Sequence, residues 1–351
     1  MQKIQKEHLN RYPKMEIQDM LKLIYQSEFG GGHMIEDKNK SLDWIKKERE
    51  FIQQQKWPSC NRASEDIGDN MCRVYLEVLE RGISAETLNE MFVQSANTKI
   101  GTVEGLERKL EQFWEVCEEY GFLKNDVELA AAEWKMQGYP AIHHSETYRD
   151  NYFPAYRVVM KKYAERLKVF RKIDSFISNH PERTEPVVVA IDGMAGSGKS
   201  VLGQMLSEIY SCSLFHMDDF FLQPHQRTPE RFAEPGGNVD YERFKLEVLD
   251  HLADKDGLWY RKYDCSTQSL QEKEFVPYNK LVVIEGAYSL HPHFEDRADI
   301  AFFLEIPAEL QVERILKRNG EWMLKRFVEE WIPMEYKYFD EYKIREKAFV
   351  V

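Results

Sequence analysis

The chain has few cysteines, and their spacing does not suggest a disulfide framework or a zinc site. The five cysteines are scattered along 351 residues, at Cys60, Cys72, Cys117, Cys212 and Cys265, and no two of them form a C-x-x-C pair. Disulfide-rich scaffolds and zinc knuckles depend on closely spaced cysteines, so neither is indicated here. We expect buried free thiols.

Long apolar runs and an excess of positive charge are also missing. No apolar run approaches the roughly 20 residues that a membrane-spanning helix requires, and the N-terminal sequence MQKIQKEHLNRYPK is charged, without a signal-peptide core. The chain has 60 acidic and 48 basic residues, a formal net charge of −12. This charge disfavours nonspecific attraction to nucleic acid or an anionic membrane. We therefore expect a cytoplasmic protein with neither as a partner.

The length and the apolar pattern indicate two domains of different character. A chain of 351 residues is too long for one ordinary core. From Glu16 to about Phe176, apolar residues recur at three- and four-residue spacing, which is typical of amphipathic helices. The polar segment HPERTEP then carries Pro181 and Pro186. The pattern predicts an all-α domain over residues 1–180, with the boundary near these prolines.

The second half alternates short β-branched or aromatic runs with helical stretches. The runs are Val187–Ile191, Leu214–His216, Leu281–Ile284, Ile300–Leu304 and the terminal AFVV. Strands that alternate with helices are typical of an α/β fold with a parallel sheet. We predict such a domain over residues 187–351.

The sequence GMAGSGKS, Gly193 to Ser200, matches the phosphate-loop pattern G-x-x-x-x-G-K-[ST]. It follows the apolar run VVVAI and opens a helical stretch, which is the order that phosphate binding requires. Glycines let successive backbone N–H groups point at the phosphates, and the helix N-terminus adds partial positive charge. The pattern predicts ATP and Mg²⁺ as cofactors, with Lys199 on the β- and γ-phosphates and Ser200 on the metal. The predicted nucleotide contacts are Gly193, Ala195, Gly196, Ser197, Gly198, Lys199, Ser200 and Val201.

Three acidic residues lie at the ends of two predicted strands in this half. Asp218 and Asp219 come just after a short strand, where open α/β sheets build their sites. One of these carboxylates could accept a proton from the acceptor hydroxyl and help to order Mg²⁺. Glu285 ends a buried run in the position of a Walker-B-like acid, and would also serve the metal. An acidic loop or helix cap for the aspartates, and a plain strand-end turn for Glu285, remain the alternatives.

The order of GMAGSGKS, MDDFF, GNVDYERF, KYDCST, VVIEGAYSL and VERILKRN resembles the uridine kinase and phosphoribulokinase family of P-loop kinases, and uridine kinase most closely. The likeness spans about Val187 to Phe339. It implies a doubly wound, mainly parallel P-loop fold and phosphorylation of a small-molecule alcohol. By position, it implies that Asp218 activates the acceptor hydroxyl and that Asp240 holds the ribose hydroxyls. Tyr263 and Asp264 would line a nucleoside pocket.

The sequence departs from the family pattern in two places. These are the residues that would contact the nucleobase and the lid segment that carries cations. Gln268 and Leu270 stand where uridine kinases usually have a histidine and then an arginine that contact the base, and we take Gln268 as the substrate contact. Arg314 and Arg318 are the candidate lid cations, although a solvated helix face would also explain them. Another alcohol therefore stays open as acceptor, such as pantothenate, a vitamin riboside or a sugar phosphate. A third alternative is an ATP-driven switch whose helical domain binds a partner.

Two stretches of the first half are dense in ligand-binding groups, SEFGGGHMI and YPAIHHSETYRDNYFPAYRVV. They contain His33, His143 and His144. Imidazoles of this kind could serve as donors, general acids or metal ligands, although their spacing matches no standard zinc or hydrolase motif. An ordinary interhelix turn with a Tyr-rich helix, a ligand or regulatory pocket, and a separate catalytic site all remain open. The sequence leaves the role of this domain and the oligomeric state undetermined.

Overall fold

The computed structural model describes residues 1–32, 34–58 and 61–351. Predicted features at His33 and Cys60 lie outside the described residues. The chain divides into two compact units, Met1–Phe176 and Ile177–Val351, which we call unit 1 and unit 2.

Unit 1 is mainly helical, as the apolar spacing predicts. Its helices are α1 (Gln2–Arg11), α2 (Ile17–Phe29), α3 (Lys38–Gln55), α4 (Ala85–Thr98), α5 (Val103–Trp114), α6 (Lys124–Met136), α7 (Glu146–Tyr152), α8 (Lys161–Ala164) and α9 (Leu167–Asn179), the last of which runs across the division. Short 3₁₀ turns occupy Leu76–Arg81 and Glu118–Tyr120. The buried core of the unit includes Leu23, Ile24, Leu106 and Phe113. Apolar helix faces at three- and four-residue spacing therefore meet in one core.

Unit 1 also contains a sheet, so the prediction of an all-α domain is wrong in this respect. The strands are β1 (Ser64–Gly68), β2 (Met71–Tyr75) and β3 (Tyr156–Met160), in the order β1-β2-β3 with antiparallel pairing. The helical spacing from Glu16 to about Phe176 predicts helix for the residues of both β2 and β3. Each strand is only five residues long, too short for its apolar spacing to distinguish a strand from a helix. The pairing of Cys72 with Val159 also joins positions far apart in sequence.

Unit 2 has alternating strands and helices, as predicted. Its strands are β4 (Val187–Gly193), β5 (Ser213–His216), β6 (Leu258–Asp264), β7 (Ser269–Val276), β8 (Leu281–Glu285), β9 (Ile300–Leu304) and β10 (Phe349–Val350). Its helices are α10 (Lys199–Ile209), α11 (Pro229–Ala233), α12 (Tyr241–Glu247), α13 (Ala308–Arg326), α14 (Ile332–Tyr342) and α15 (Ile344–Lys347). Short 3₁₀ turns lie at Met217–Phe220, Pro224–Gln226, Leu249–His251 and Pro292–Phe294, and a π-helical turn at Phe327–Trp331.

Five strands of unit 2 form a parallel sheet in the order β10-β9-β4-β8-β5. Strand β4 lies at its centre, with Ile191 opposite Glu285 of β8 and Phe302 of β9. All seven residues of β4 are buried, as expected for a strand between two others in an α/β sheet. The carboxyl ends of β4, β5 and β8 therefore share one edge, followed by the phosphate-loop sequence, Asp218 and Gly286. This is the α/β P-loop fold that the sequence predicts.

Two features of unit 2 were not foreseen. Strands β6 and β7 form a separate antiparallel hairpin, and its connecting residues hold Gln268 at φ 54°. Helix α13 is interrupted at Gly320, where φ is 77° and ψ is 172°. Residues with a side chain rarely adopt a positive φ, so the glycine at this position permits the break in the predicted lid segment.

The prediction that the cysteines are buried is confirmed for only some of the described ones. Cys72 and Cys117 are buried, whereas Cys212 is intermediate and Cys265 is exposed. Cys265 lies between β6 and β7, and the polar turn keeps it at the surface. Among the described helices, none is both long enough and apolar enough to cross a bilayer.

Candidate active site

The phosphate loop begins where β4 ends, and its first glycine is required by the sheet. Gly193 has φ 134°, and a Cβ built on it would lie 2.2 Å from the carbonyl oxygen of Leu304 on β9. The Met194 N–H donates to that same carbonyl over 3.0 Å. Gly198 also has a positive φ, 100°, directly before α10. Both glycines therefore permit backbone conformations that turn the chain from strand to helix.

Several polar groups of the loop have no protein partner. Among the described residues, no hydrogen-bond acceptor is found for the backbone N–H groups of Gly196, Gly198 and Lys199. The Ser197 Oγ is buried and also lacks a partner in this part of the chain. Unpartnered buried groups are costly unless a ligand satisfies them. Together with the N-terminus of α10, they suit the oxygens of a phosphate.

Lys199 folds back over the loop. Its Nζ donates to the carbonyl oxygens of Gly193, at 2.7 Å, and Met194, at 3.0 Å. The ammonium therefore lies above the loop, where it can meet a phosphate without leaving the backbone that holds it. The sequence predicts this lysine as the phosphate contact, and its geometry is compatible with that role.

A carboxylate that the sequence analysis missed reaches the loop from helix α14. The Glu335 Oε2 accepts a hydrogen bond from the Ala195 N–H over 2.9 Å. Burial raises the pKa of Glu335 to about 7, although the charge of Lys199 and the hydrogen bond from Ala195 oppose the rise. Glu335 stands 140 residues from Ala195, so no local motif could have identified it.

Asp192 fixes the base of the loop. It is fully buried, and its carboxylate accepts hydrogen bonds from the N–H groups of Gly193, at 2.7 Å, and Leu290, at 3.1 Å, and from the Tyr338 hydroxyl, at 2.9 Å. Burial raises the pKa of Asp192 despite these bonds. The sequence motifs do not single out this residue, which joins the loop to the segment after β8.

Two residues of α13 also contact the loop. Arg314 is exposed and donates from Nη1 to the carbonyl oxygens of Gly196, at 3.1 Å, and Ser197, at 3.5 Å. The buried Gln311 donates to the Ala195 carbonyl over 3.0 Å. Arg318 lies one turn further on, is also exposed, and donates to Asn319. Arg314 therefore lies at the loop, whereas the contacts of Arg318 are local.

Three side chains meet where β8 and β5 end. The Ser200 hydroxyl donates to the Glu285 Oε2 over 3.2 Å. The His216 Nδ1 is hydrogen-bonded to the other Glu285 oxygen, and this bond raises the pKa of His216. The structure thus brings together Ser200 and Glu285, both predicted as metal ligands, and adds His216, which was not predicted.

Asp218 follows His216 at the same edge. Burial and then the charge of Glu285 raise its pKa, while Lys199, His216 and Arg318 oppose the rise. These groups are therefore close enough to Asp218 for their charges to act on it. Within the described residues, no group of three or more His, Cys, Asp and Glu side chains forms a cage for a metal ion. Mg²⁺ is commonly held by one or two carboxylates, water and substrate phosphates, and the oxygens of Ser200, Glu285 and Asp218 suit that ligand set.

Asp219 has different surroundings from Asp218. Its carboxylate accepts a hydrogen bond from the Tyr260 hydroxyl over 3.3 Å, and burial raises its pKa. Its carbonyl accepts a hydrogen bond from Arg243 over 2.9 Å. The neighbouring acids are thus separated, with Asp218 beside the loop and Asp219 bound to the hairpin.

Asp240, the predicted ribose contact, is engaged within the protein. It is 2% exposed and caps α12 by accepting a hydrogen bond from the Arg243 N–H over 3.1 Å. Its other oxygen accepts from the Arg243 Nε over 3.3 Å. Both oxygens therefore already have protein donors, although each can accept a further bond.

The other predicted substrate contacts lie on the β6–β7 hairpin. The Tyr263 hydroxyl accepts a hydrogen bond from the Arg227 Nη2 over 2.7 Å. Asp264 accepts from the N–H and the hydroxyl of Ser266, at 2.7 Å and 2.6 Å, and so closes the turn. Gln268 is exposed in the same turn. Asp218 contributes to the raised pKa of Cys265, which indicates that the hairpin turn and the acidic edge are near each other.

A cavity of about 760 Å³ adjoins the phosphate loop after β9. It is lined by Met194 of the loop, by the segment Ile306–Ala308, and by Tyr336 and Phe339 of α14. It has charged residues at its margin, including Glu305 and Arg345, which pair over 2.7 Å. Its apolar walls could accept a flat ring next to the phosphates. The sequence analysis did not identify these residues because they come from separate segments.

Comparisons with known proteins find kinases that match part of the chain. No family model matches the chain. "Putative kinase protein 029R" of Invertebrate iridescent virus 3 is 27% identical over 152 residues, which cover 38% of this chain and 71% of the viral protein. Among solved structures, "a Possible Uridine Kinase" from Bacillus stearothermophilus is 20% identical, with a TM-score of 0.39 and coverage of 52% of this chain and 98% of that one. D-glycerate 3-kinase from Cryptococcus neoformans is 14% identical, with a TM-score of 0.33 and coverage of 47% and 84%.

Proposed function

We propose that unit 2 is an ATP-dependent kinase that transfers the γ-phosphoryl group to a hydroxyl of a small molecule. The observation that carries the proposal is the phosphate loop, with the unpartnered N–H groups of Gly196, Gly198 and Lys199 next to a cluster of acids. A phosphate site and a candidate base at one edge are what phosphoryl transfer requires. The viral relative, which is named as a kinase, adds support.

The phosphates of ATP would lie on the loop, from Gly193 to Val201, with the ammonium of Lys199 above them. The hydroxyl of Ser197, buried without a partner among the described residues, would gain one there. The adenine ring would enter the cavity beside Met194, between the segment after β9 and helix α14. Tyr336 is exposed at this cavity, and would cover a face of the ring.

Ser200, Glu285 and Asp218 would hold Mg²⁺ on their oxygens. When bound, the ion neutralises charge that develops on the phosphates. His216 is hydrogen-bonded to the Glu285 Oε1 and Ser200 to the Oε2, and these two bonds orient the carboxylate. Hydrogen bonds of this kind hold a metal ligand in the orientation that metal binding needs.

In the transfer step, Asp218 would accept the proton of the acceptor hydroxyl as that oxygen forms its bond to the γ-phosphorus, while the bond from this phosphorus to the β,γ-bridging oxygen breaks and ADP leaves. Burial and then the charge of Glu285 raise the pKa of Asp218, and its place directly after β5 makes it the candidate base. Lys199, Arg314 and Arg318 would stabilise charge on the transferred group. Arg314 already lies at the loop through its bonds to Gly196 and Ser197.

A nucleoside is the acceptor that the sequence motifs favour, with Asp240, Tyr263, Asp264 and Gln268 as its contacts. One observation favours a second candidate, a non-nucleoside alcohol such as pantothenate or a sugar phosphate. Both oxygens of Asp240 are already bonded to Arg243 and the start of α12. If that arrangement persists, a ribose would have to share a carboxylate that is 2% exposed.

The test is an acceptor panel with ATP and Mg²⁺, analysed by product mass. It contains uridine, cytidine, deoxyuridine, nicotinamide riboside, pantothenate and a sugar phosphate. We expect one class of acceptor to yield a product heavier by one phosphoryl group, and Lys199→Ala to abolish it. Lys280→Ala, an exposed lysine outside the site, is the matched control. Turnover of ATP without any phosphorylated acceptor would contradict the kinase proposal and favour a nucleotide-driven switch.

A further inference from the structure

Unit 1 contains a cavity of about 830 Å³ that plays no part in the proposed phosphoryl transfer. Its polar wall includes Lys22, Gln26, His144, Arg149, Tyr156 and Arg157. His143 also lines it, whereas His33 is outside the described residues. This volume lies in the range of sites for small organic ligands.

Lys22 is a half-buried cation in this wall. Its Nζ donates to the carbonyl oxygen of Ile142 over 2.6 Å, and no carboxylate oxygen of the described residues lies within 4.0 Å of it. Burial, with a contribution from the charge of Arg73, lowers its pKa to about 8. An ammonium has three donors, and Ile142 satisfies one of them. A ligand anion would supply the missing charge and acceptors.

The side chains next to Lys22 are held in place by a buried hydrogen-bond chain. The Asp19 carboxylate is fully buried and lies 2.8 Å from the His144 Nδ1, and the His144 Nε2 lies 2.6 Å from the Tyr156 hydroxyl. Burial tends to raise the pKa of Asp19, but the hydrogen bonds from His144 and Ser145 outweigh it and keep the pKa low. Asp19 therefore accepts from Nδ1, which leaves Nε2 to accept the Tyr156 proton.

This chain connects to helix α2 and to the sheet of unit 1. Asp19, Lys22 and Gln26 lie three and four residues apart, so they share a face of α2. The Gln26 Oε1 accepts hydrogen bonds from the fully buried Arg73, at 3.0 Å and 2.9 Å, and its amide lies 3.3 Å from the Tyr156 hydroxyl. The polar wall is thus preorganised by the protein interior, unlike a set of mobile surface groups.

The rest of the lining is mixed and includes exposed apolar side chains together with the acids Glu36, Asp37 and Glu48. Trp44 is 60% exposed and Met34 is 69% exposed, and both line the cavity with Phe92. Arg157 lies over the Phe92 ring, 5.8 Å from its centre, and pairs with Glu48 over 2.8 Å. Arg149 is exposed and has no ion pair with any described residue. Lys22 and Arg149, which have no ion pair with a described residue, and the exposed apolar side chains suit a ligand with one anionic and one apolar end.

We propose that this cavity binds a small organic anion, a phosphate ester or a carboxylate with an aromatic or apolar body. The anionic group lies at Lys22 and Arg149, and the apolar body lies against Trp44 and Phe92. The hydrogen-bond chain through His144 positions Tyr156 and Gln26 beside the anionic group. The inference does not depend on unit 2 being a kinase.

The experiment is calorimetric titration of the full chain with four probes. Phenyl phosphate and benzoate carry both ends of the ligand, inorganic phosphate has only the anion, and benzyl alcohol has only the apolar ring. All titrations contain saturating ADP and Mg²⁺, and Lys199→Ala is titrated in parallel, so that binding at the phosphate loop is recognised. We expect at least one aromatic anion to bind about tenfold tighter than both inorganic phosphate and benzyl alcohol. Whichever of phenyl phosphate and benzoate binds more tightly shows whether the cavity prefers a phosphate ester or a carboxylate.

Lys22→Met should weaken that binding by about tenfold or more, because it removes the charge and keeps the aliphatic stem. Lys172→Met, an exposed lysine of the same unit outside the cavity, is the matched control and should leave binding unchanged. If Lys22→Met does not fold, the surface variant Arg149→Gln tests the proposal, and we expect it to bind the aromatic anion severalfold more weakly than the wild type does. Aromatic anions that bind no tighter than benzyl alcohol, or equal affinities in the cavity variants and the wild type, would overturn the proposal.

Discussion

Replacing Glu335 by glutamine tests how the buried acid acts on the phosphate loop. Burial raises the pKa of Glu335 from 4.5 to about 7. One pH unit corresponds to about 1.4 kcal/mol, so the ionised carboxylate is disfavoured by about 3 kcal/mol in the folded protein. The folded state binds this proton more tightly than the unfolded state. Its contribution to stability is therefore complete below pH 4.5 and is lost as the pH rises through 7.

Glu335→Gln keeps a carbonyl oxygen that can accept from the Ala195 N–H but cannot ionise. We expect the variant and the wild type to have similar stability at pH 5, where Glu335 is protonated in the folded state. At pH 8.5 the variant should be more stable, by up to about 3 kcal/mol. Native-state hydrogen exchange of the β4 and β8 amides, analysed by mass spectrometry, reports the stability of unit 2 directly.

Glu330→Gln is the matched control for this substitution. Glu330 is exposed and pairs with Arg326, and the hydrogen bond from Arg326 lowers its pKa. We expect its replacement to change stability little at either pH, because exposed ion pairs contribute little. A stability difference between Glu335→Gln and the wild type that stays constant from pH 5 to 8.5 would refute the reasoning.

Three further substitutions probe unit 2. Lys199→Ala should abolish phosphoryl transfer with unchanged circular dichroism, because it removes charge from the phosphate site and leaves the core intact; turnover within a few-fold of wild type would contradict this role. Asp218→Asn should lower kcat by about 10²–10⁴ while ATP affinity is preserved, and a large loss in Asp219→Asn instead would assign the base to the second acid. Asp240→Ala should destabilise unit 2 by about 1–3 kcal/mol in denaturant titrations, because it removes the cap of α12 and one of the two carboxylates, Asp240 and Glu247, that pair with the buried Arg243; unchanged stability would show that the ion pair is not structural.

The phosphate loop could be predicted because its chemistry is local. The strand, the glycines and the helix start are contiguous, and positive φ at Gly193 and Gly198 follows from the geometry of the turn. The acids after β5 and β8 could also be placed, since parallel strands end at one edge. The position of Ser200 against Glu285 agrees with that argument.

The supports of the loop could not be predicted because they come from distant segments. Glu335 and Tyr338 lie far beyond the loop in sequence and act through single hydrogen bonds to Ala195 and Asp192. An isolated glutamate on an amphipathic helix has no pattern that distinguishes it from a solvated one. Such contacts depend on the packing of α14, which local periodicity does not determine.

The strands of unit 1 were missed for a different reason. The apolar residues of MCRVY and YRVVM occur at spacings that fit a helix as well as a short strand. Their strand conformation depends on antiparallel pairing between β2 and β3, a long-range contact. Tertiary pairing overrides local propensity in such segments. The same pairing brings Arg73 and Tyr156 together behind the cavity of unit 1, with the guanidinium 4.7 Å from the ring centre.

The most direct test of the central proposal follows the γ-phosphoryl group itself. ATP with ¹⁸O in its γ-phosphate is incubated with Mg²⁺, the acceptor selected by the panel, and wild-type or Lys199→Ala protein. The account predicts one labelled phosphorylated acceptor for each ADP formed by the wild type, and none with Lys199→Ala. Label found only in free phosphate, in amounts that do not depend on the acceptor, would contradict transfer to an alcohol.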